Sequence, residues 1–399
     1  MVKQAFNRPK IVIWGADNYN TLGLIRSLAN NGFDMLLLIN GHKNGVASAS
    51  KYCTKYLETH SIEEAINYLV KSYPEENNPS KRAVLIPGGD AYSIGGAENF
   101  DLLKWRFQMM CTPDPSVLIR ITDKVEMGKT ANKAGLLTPK SQLYTAGTKE
   151  INVPFPVLLK PIKTEGRVEF KTKKIASRDE LDKFSHYLNP HNTYLLQQFI
   201  PRSHDIVVYG CRLPDGQLKL AGHHTLERWS DDGGGSYGHL SPEIPNYLQP
   251  DALTRFFDIV DYHGLFSAEF GFYDGKAYFY EVNFRNDGFC HLSFQAGANL
   301  PLLWVSSCLN LGLDASPVMT QSVVGMNEIY DFANVLHGNI SYKRFKRDKA
   351  EAKAFHFYDP DDPQPYINMH RRMIWEIPFR ALLKTFRPKI VWLLSKFGR

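Results

Sequence analysis

Up to about residue 110, short apolar runs alternate with stretches of helical period. Lys10–Trp14 reads as a buried strand, Gly15 as its turn, Thr21–Asn31 as a helix stopped by Gly32, and Met35–Ile39 as the next strand. Continuous apolar strands joined through a helix imply a parallel β-α-β unit covered on both faces. A helix over Ile62–Lys71 and a strand over Ala83–Ile86, ending in Pro-Gly-Gly-Asp, extend this to a doubly wound domain. The segment Gly15–Gly23 lacks the G-x-G-x-x-G spacing of a dinucleotide fingerprint, so its glycines predict a tight turn and close helix packing. Asp90 and Tyr92 follow the C-terminal end of a parallel strand, where ligands of such sheets bind.

The pattern changes after a boundary near residue 115. Thr122-Asp123-Lys124 opens a helix that runs to Ala134 and is stopped by Gly135. Short strands then recur at Val157–Lys160, Tyr194–Phe199, Ile206–Cys211, Leu218–Ala221, Phe266–Tyr273 and Ala277–Asn283. This is an α+β region of largely antiparallel strands. We divide the chain into a doubly wound domain (1–115), two lobes of a second unit (116–195 and 196–315) and a C-terminal extension (316–399).

The richest local signal is Phe266–Arg285, two apolar strands around Asp274-Gly275 that predict a hairpin. Glu269, Glu281 and Asn283 are hard oxygen donors on these strands. A buried carboxylate must be paired, protonated or bound to a cation, and magnesium meets that need. Register decides whether the donors meet. A two-residue turn at Asp274-Gly275 would pair Glu269 with Tyr280 and put Glu281 on the opposite face. A three-residue loop, Tyr273-Asp274-Gly275, would pair Phe272 with Lys276 and Glu269 with Phe279, so that Glu269, Glu281, Asn283 and Arg285 share a face. We therefore expect the three-residue loop. The plain alternative is an ordinary amphipathic hairpin with a solvated face, but Tyr278 and Tyr280 leave that face only half wet.

Glu269, followed twelve positions later by Glu281-Val-Asn283-Phe-Arg285, resembles the paired metal ligands and E-x-N-x-R element of ATP-grasp enzymes. Earlier elements agree in order. Thr122-Asp123-Lys124 resembles the first nucleotide-contacting lysine, Pro156–Pro161 the strand of the phosphate-binding lysine, and Leu196–Ile200 the hinge against adenine. The resemblance covers about residues 115–310 and lies in the ordered set. It implies an N-terminal pre-ATP-grasp domain, a two-lobed ATP-grasp core and a basic C-terminal extension.

By that resemblance ATP is the nucleotide, with one or two Mg2+ ions for which Mn2+ can substitute. Lys124 and Lys160 would neutralise its phosphates. Gln197, Gln198, Phe199 and Ile200 would form the adenine hinge, with backbone groups of Gln198 and Ile200 on the base edge, and Asp205 would accept from the ribose. Glu269, Glu281 and Asn283 would hold metal. Arg285 would stabilise the transferred phosphoryl group. Glu227–Tyr237 resembles an arginine and mobile glycine loop bordering the acceptor site, so Arg228 would clamp a substrate carboxylate and Gly233–Gly235 would serve a lid. After Lys160 the chain has one glycine where family phosphate-covering loops are often richer, which leaves closure to Lys163 and Arg167.

The implied reaction is ATP-dependent activation of a carboxylate as an acyl phosphate, followed by amine attack to form a C–N bond. Lys51-Tyr52-Cys53 and the Gly88-Gly89-Asp90 loop, with the core, look most similar to the D-aspartate ligase and carbamoyl-phosphate-synthase-like branch. An amino-acid donor and a small amine acceptor are thus the expectation. The rivals are a bicarbonate-using carboxyphosphate ligase and a non-catalytic nucleotide-binding module.

Bulk properties narrow the remainder. The 399 residues, 43% hydrophobic and 22% charged, imply several domains folded throughout. The net charge of +6 is uneven, because eight Lys or Arg residues against Glu376 lie between Arg371 and Arg399. The body is near neutral, which argues against nucleic acid as partner. That tail carries aromatic and aliphatic residues among its cations, divided by Pro378 and Pro388, so it either lies on an anionic bilayer or packs on the body. The bilayer reading would place the protein in cell-envelope or polysaccharide assembly. No apolar run approaches the ~18 residues of a membrane span, giving a cytoplasmic expectation. The five cysteines show no C-x-x-C pair and the thirteen histidines, His223-His224 and His291 among them, no H-E-x-x-H spacing. We read the cysteines as reduced thiols and the histidines as structural or surface residues.

Overall fold

The structure is a computed structural model that describes residues 10–163, 170, 172–230 and 233–373. Five parallel strands, β1 (Lys10–Gly15), β2 (Asp34–Asn40), β3 (Tyr56–Thr59), β4 (Ala83–Pro87) and β5 (Phe107–Met109), form the first sheet in the order β3-β2-β1-β4-β5. Ile11, Val12, Ile13 and Trp14 of the central strand are wholly buried, as a strand covered on both faces requires. The helix Tyr19–Leu28 begins at an Asn18 cap completed reciprocally by Thr21. The Thr21 γ-methyl lies 2.4 Å and 2.8 Å from where a β-carbon would stand on Gly15 and Gly88. Both glycines therefore serve a close helix approach, which the sequence predicts at Gly15. Asp17 is committed to the fold: it accepts from the amides of Asn44 (2.6 Å), Gly45 (2.8 Å) and Ser48 (2.9 Å) and from the Ser48 hydroxyl.

A four-stranded antiparallel sheet follows, comprising β6 (Ser141–Tyr144), β7 (Val157–Lys163), β8 (Lys173–Ile175) and β9 (Thr193–Gln198) in the order β6-β9-β7-β8. It encloses a small core of its own around Val157, Leu159, Leu181 and Leu196. The largest sheet has the order β14-β13-β10-β11-β12-β15-β16 and is formed by β10 (His204–Arg212), β11 (Leu218–Trp229), β12 (Gly235–Ser241), β13 (Gly264–Tyr273), β14 (Lys276–Asn283), β15 (Val323–Met326) and β16 (Ala354–Phe355). The helix Pro250–Val260 buries Leu253, Phe256, Phe257 and Val260 against its back, with Phe257 and Phe266 ring centroids 4.0 Å apart. The other face of β10, β13 and β14 looks towards the N-terminal domain and carries the polar residues.

Two of the proposed boundaries shift. β9 runs from Thr193 to Gln198, so the boundary drawn at residue 195 falls inside a strand. β15 and β16 extend the large sheet, so the described residues beyond 316 complete that lobe. They also lock it to the first domain. Arg26, on the first helix, pairs through Nε with Asp362 Oδ2 at 3.0 Å and donates to the carbonyls of Phe357 (3.0 Å) and Asp362 (2.9 Å). Asp362 also accepts from the Ser50 hydroxyl (2.7 Å) and the Lys51 amide (2.9 Å). Both side chains of the pair are 1% exposed. Removing one partner strands a buried charge, so Asp362→Ala should cost about 3 kcal/mol or more, lowering the midpoint of thermal unfolding. Asp359→Ala removes a 3.9 Å contact to the same guanidinium from a more exposed position and should cost less than about 1 kcal/mol.

Candidate active site

The hairpin forms, but by a different register from the one expected. Asp274 (φ +50°) and Gly275 (φ +73°) make a two-residue turn pairing Tyr273 with Lys276, and Phe270 stands opposite Phe279. A bulge then inserts Tyr280, so that Glu269 lies opposite Glu281 and Ser267 opposite Asn283. The predicted three-residue loop is therefore incorrect, although the donors still share a face. Tyr280 folds back over Gly271, where a β-carbon would meet its hydroxyl at 2.1 Å. The bulge and this glycine are one device.

Glu269 is held by the Asn283 side chain, whose Nδ2 donates to Oε1 at 2.9 Å and also to Ser267 Oγ at 3.2 Å. Burial, followed by the charges of Glu281 and Asp287, pushes its pKa up to about 7. Glu281 is met by Lys124 Nζ at 3.1 Å. Lys124 occupies the first turn of the helix Lys124–Ala134, which Asp123 caps through the amides of Val125 and Glu126 and which Gly135 ends at φ +88°. Lys160, on β7, donates to Gln197 Oε1 at 2.7 Å. Burial and then the Lys124 charge lower its pKa to about 8. Both lysines therefore border the carboxylate face.

Arg285 follows β14 and pairs with Asp90 (3.0 Å) and Asp287 (2.9 Å), which raises its already high pKa further against the opposing effect of burial. Asp90 of the first domain thus reaches the site. Tyr92 instead packs its ring on Trp14 at 5.6 Å. Asp287 is a residue that sequence reasoning missed: it also accepts from the Ser267 hydroxyl (2.7 Å) and the Phe289 amide (3.0 Å). The polar run Arg285-Asn286-Asp287-Gly288 directly after the strand was its only signal.

At the hinge, the Gln198 amide already donates to the Lys140 carbonyl at 2.7 Å, so that group is not free for an adenine edge. Ile200 is buried, and the Phe199 ring lies under Lys174 Nζ at 3.7 Å. Asp205 is ion-paired with Arg202, and burial raises its pKa. Arg228 departs most from expectation. Its Nε and Nη2 form a fork on Asp331 at 2.9 Å each, its Nη1 reaches Asp348 at 2.7 Å, and its guanidinium lies 4.1 Å over the Tyr237 ring. This buried assembly fixes later helices to the sheet and leaves no free fork for a substrate. Arg167, Asp231, Asp232 and the Lys163 side chain lie outside the described residues.

A cavity of about 570 Å³ covers the polar face, bordered by Arg202, Asp205, Glu269, Tyr280, Arg285 and Asp287, with Gly233–Gly235 along its rim. A second, of about 360 Å³, adjoins Asp90, Lys124, Glu281 and Asn283. The hairpin carboxylates separate the two. Among the described residues no three His, Cys, Asp or Glu side chains converge on a ready metal cage. Two carboxylates and one amide oxygen fit magnesium if phosphate oxygens or water complete the shell.

No family model matches the chain, and no curated protein matches its sequence. Solved structures do, and they show that the chain has the ATP-grasp fold. Those it resembles include N5-carboxyaminoimidazole synthetase from Staphylococcus aureus complexed with ADP (14% identity, 84% of this chain and 86% of that one, TM-score 0.63). An L-amino acid ligase from Bacillus licheniformis is also similar (11%, 79% of each chain, TM-score 0.58), as is a biotin carboxylase complex from Campylobacter jejuni (14%, 79% of this chain and 74% of that one, TM-score 0.60).

The raised Glu269 pKa has two consequences. A cation needs the carboxylate ionised, so Mn2+ affinity without nucleotide, followed by paramagnetic resonance, should be roughly tenfold weaker at pH 6 than at pH 8. Without metal, ionising Glu269 is unfavourable in the fold, so this group's contribution to stability is lost as pH rises from 4.5 through 7. Glu269→Gln should therefore bind Mn2+ poorly, yet melt higher than the parent at pH 8 in chelator.

Proposed function

We propose that this protein is an ATP-dependent ligase that activates a carboxylate as an acyl phosphate and joins it to an amine. The observation that carries this reading is the Glu269–Glu281 pair facing across the bulge, bordered by Arg285, Lys124 and Lys160. Two acidic groups so placed repel one another, and the arrangement is useful where a cation is to be held. Magnesium, held by Glu269, Glu281 and Asn283 Oδ1, would neutralise phosphate charge as the γ-phosphoryl group moves.

The chain's own groups do the remaining work. Lys124 exchanges its pairing with Glu281 for a phosphate, and Lys160 keeps a compact charge beside the β7–β9 hinge. Arg285, fixed by Asp90 and Asp287, presents its remaining donors to the transferred group without reorganising. Fixed donors favour the charge distribution of the transition state over that of bound ATP. Asp205 and the hinge residues Gln197–Ile200 orient the nucleoside, with Ile200 rather than the occupied Gln198 amide supplying a backbone donor. The product is an amide-type C–N bond, with ADP and phosphate released.

The donor acid is the finer question, and an amino acid was the expected one. The burial of Arg228 favours the second reading, in which bicarbonate is activated as carboxyphosphate. Arg202 and Arg285, the guanidinium groups among the described lining of the larger cavity, are both already ion-paired. An organic acid would have to share one of these already paired guanidinium groups, whereas bicarbonate, with no further substituent, needs no second anchor. The tail beyond Met373 lies outside the described residues, and the bilayer reading with it. Among the described residues no helix is long and apolar enough to cross a membrane.

ADP release should be measured with bicarbonate and with each amino acid in turn, with and without added amines, and products identified by mass spectrometry. Glu281→Gln and Arg285→Ala should each lower turnover by about 100-fold or more, since electrostatic groups in such reactions contribute about 3 kcal/mol. Turnover within about threefold of the parent in both variants would remove them from the mechanism.

A further inference from the structure

The larger cavity continues past the phosphate-handling groups to a wall made by Tyr19 and Asn20 of the first helix, Gly288 and Phe289, and His356. The Tyr19 ring lies where a side chain on Gly288 would stand, 2.4 Å from the position of a β-carbon, so glycine is required there. His356 closes this wall from the far side. Its ring meets the Tyr19 ring edge-on at 4.9 Å and the Phe289 ring at 6.1 Å. Its backbone is fixed on both sides, because its amide donates to Met326 and its carbonyl accepts from Arg26. The next two amides, of Phe357 and Tyr358, both donate to Glu328.

Most polar groups on this wall are spent. Asn20 donates to the carbonyls of Gly88 (3.1 Å) and Asn286 (3.0 Å), and Asp287 serves Ser267, Arg285 and Phe289. His356 is 3% exposed, and its Nδ1 is buried without a hydrogen-bond partner. An unpaired buried polar atom costs stability and calls for an explanation. Burial lowers this imidazole's pKa to about 4, the Asp287 charge opposing. The ring is therefore neutral near pH 7 and always has one nitrogen lone pair.

We propose that this aromatic end of the cavity is the subsite for the attacking amine and that His356 accepts the proton the amine sheds. This rests on the ligase reading above. The amine nitrogen uses its lone pair to form the C–N bond, and the acyl C–O bond to phosphate breaks with its electron pair leaving on phosphate. The nitrogen, positively charged once the new bond forms, gives one N–H proton to the imidazole, which returns it to solvent. A weakly basic imidazole suits that order of events, since the proton is acidic only after bond formation. It does not suit the stripping of a free alkylammonium, so the amine enters uncharged, as an aromatic wall without a free carboxylate also favours. For His356 this replaces the structural or surface role that the sequence implies for the histidines.

The test separates activation from transfer in the full chain. With the acid that supports ADP release, ADP and amide product are counted in parallel for the parent, His356→Asn and His356→Gln, and thermal melts confirm folding. The same assays are run with hydroxylamine as the amine, and with imidazole added to His356→Gly. The parent should form about one amide per ADP. The variants should keep ADP release within threefold but lose tenfold or more of the amide per ADP as acyl phosphate hydrolyses, with imidazole restoring part of it. Hydroxylamine, a weakly basic nucleophile, should be affected least. Unchanged coupling in folded variants, or equal loss of ADP release and amide, would overturn the proposal. Absence of ADP release in the parent with every acid tried would instead count against the ligase reading itself.

Discussion

Two carboxylates facing each other across an antiparallel ladder are the constraint around which this site is built. Like charges directly opposed destabilise a sheet, and burial together with the Glu281 charge pushes the pKa of Glu269 up to about 7. Each surrounding group answers that charge or prepares to. Lys124 leans on Glu281, Asn283 donates to Glu269, and Arg285 stands with Asp287 beside them. Such a face is poorly satisfied alone and well satisfied by a divalent cation with phosphates.

The surrounding architecture exists to hold that face against the first domain. Asp90 crosses from the parallel sheet to Arg285, and Asn20 spans from Gly88 to Asn286. Behind them, Arg26 and Asp362 secure the segment carrying His356 to the first helix. His356 and the described segment around it are thus part of the cleft. That cavity is lined by residues from distant parts of the chain, Tyr19, Glu269 and His356 among them.

Much of this was legible locally. Strands buried on both faces announce themselves as apolar runs, and Gly135 after an amphipathic stretch marks a helix end, because those signals lie within a few residues of what they describe. The hairpin was legible, its bulge less so. Phe279 and Val282 are both buried with Tyr280 and Glu281 between them, and two consecutive polar positions in an alternating strand are the trace that a bulge leaves. The fate of Arg228 was not legible. Its partners Asp331 and Asp348 lie 103 and 120 residues onward, and only the folded sheet brings them together. For the same reason His356 gave no sequence signal: its character comes from Tyr19, Phe289 and the absence of a partner, none of them nearby in the chain.

The central claim, that the opposed carboxylates are a metal-nucleotide site, is tested most directly by a crystal structure of the full chain with Mn2+ and a non-hydrolysable ATP analogue. Anomalous scattering would locate the metal. The account predicts manganese between the Glu269 and Glu281 carboxylates and the analogue's phosphates, with Lys124 turned from Glu281 to phosphate. Manganese bound elsewhere, or nucleotide bound with the Lys124–Glu281 pair intact and no metal at the hairpin, would contradict it.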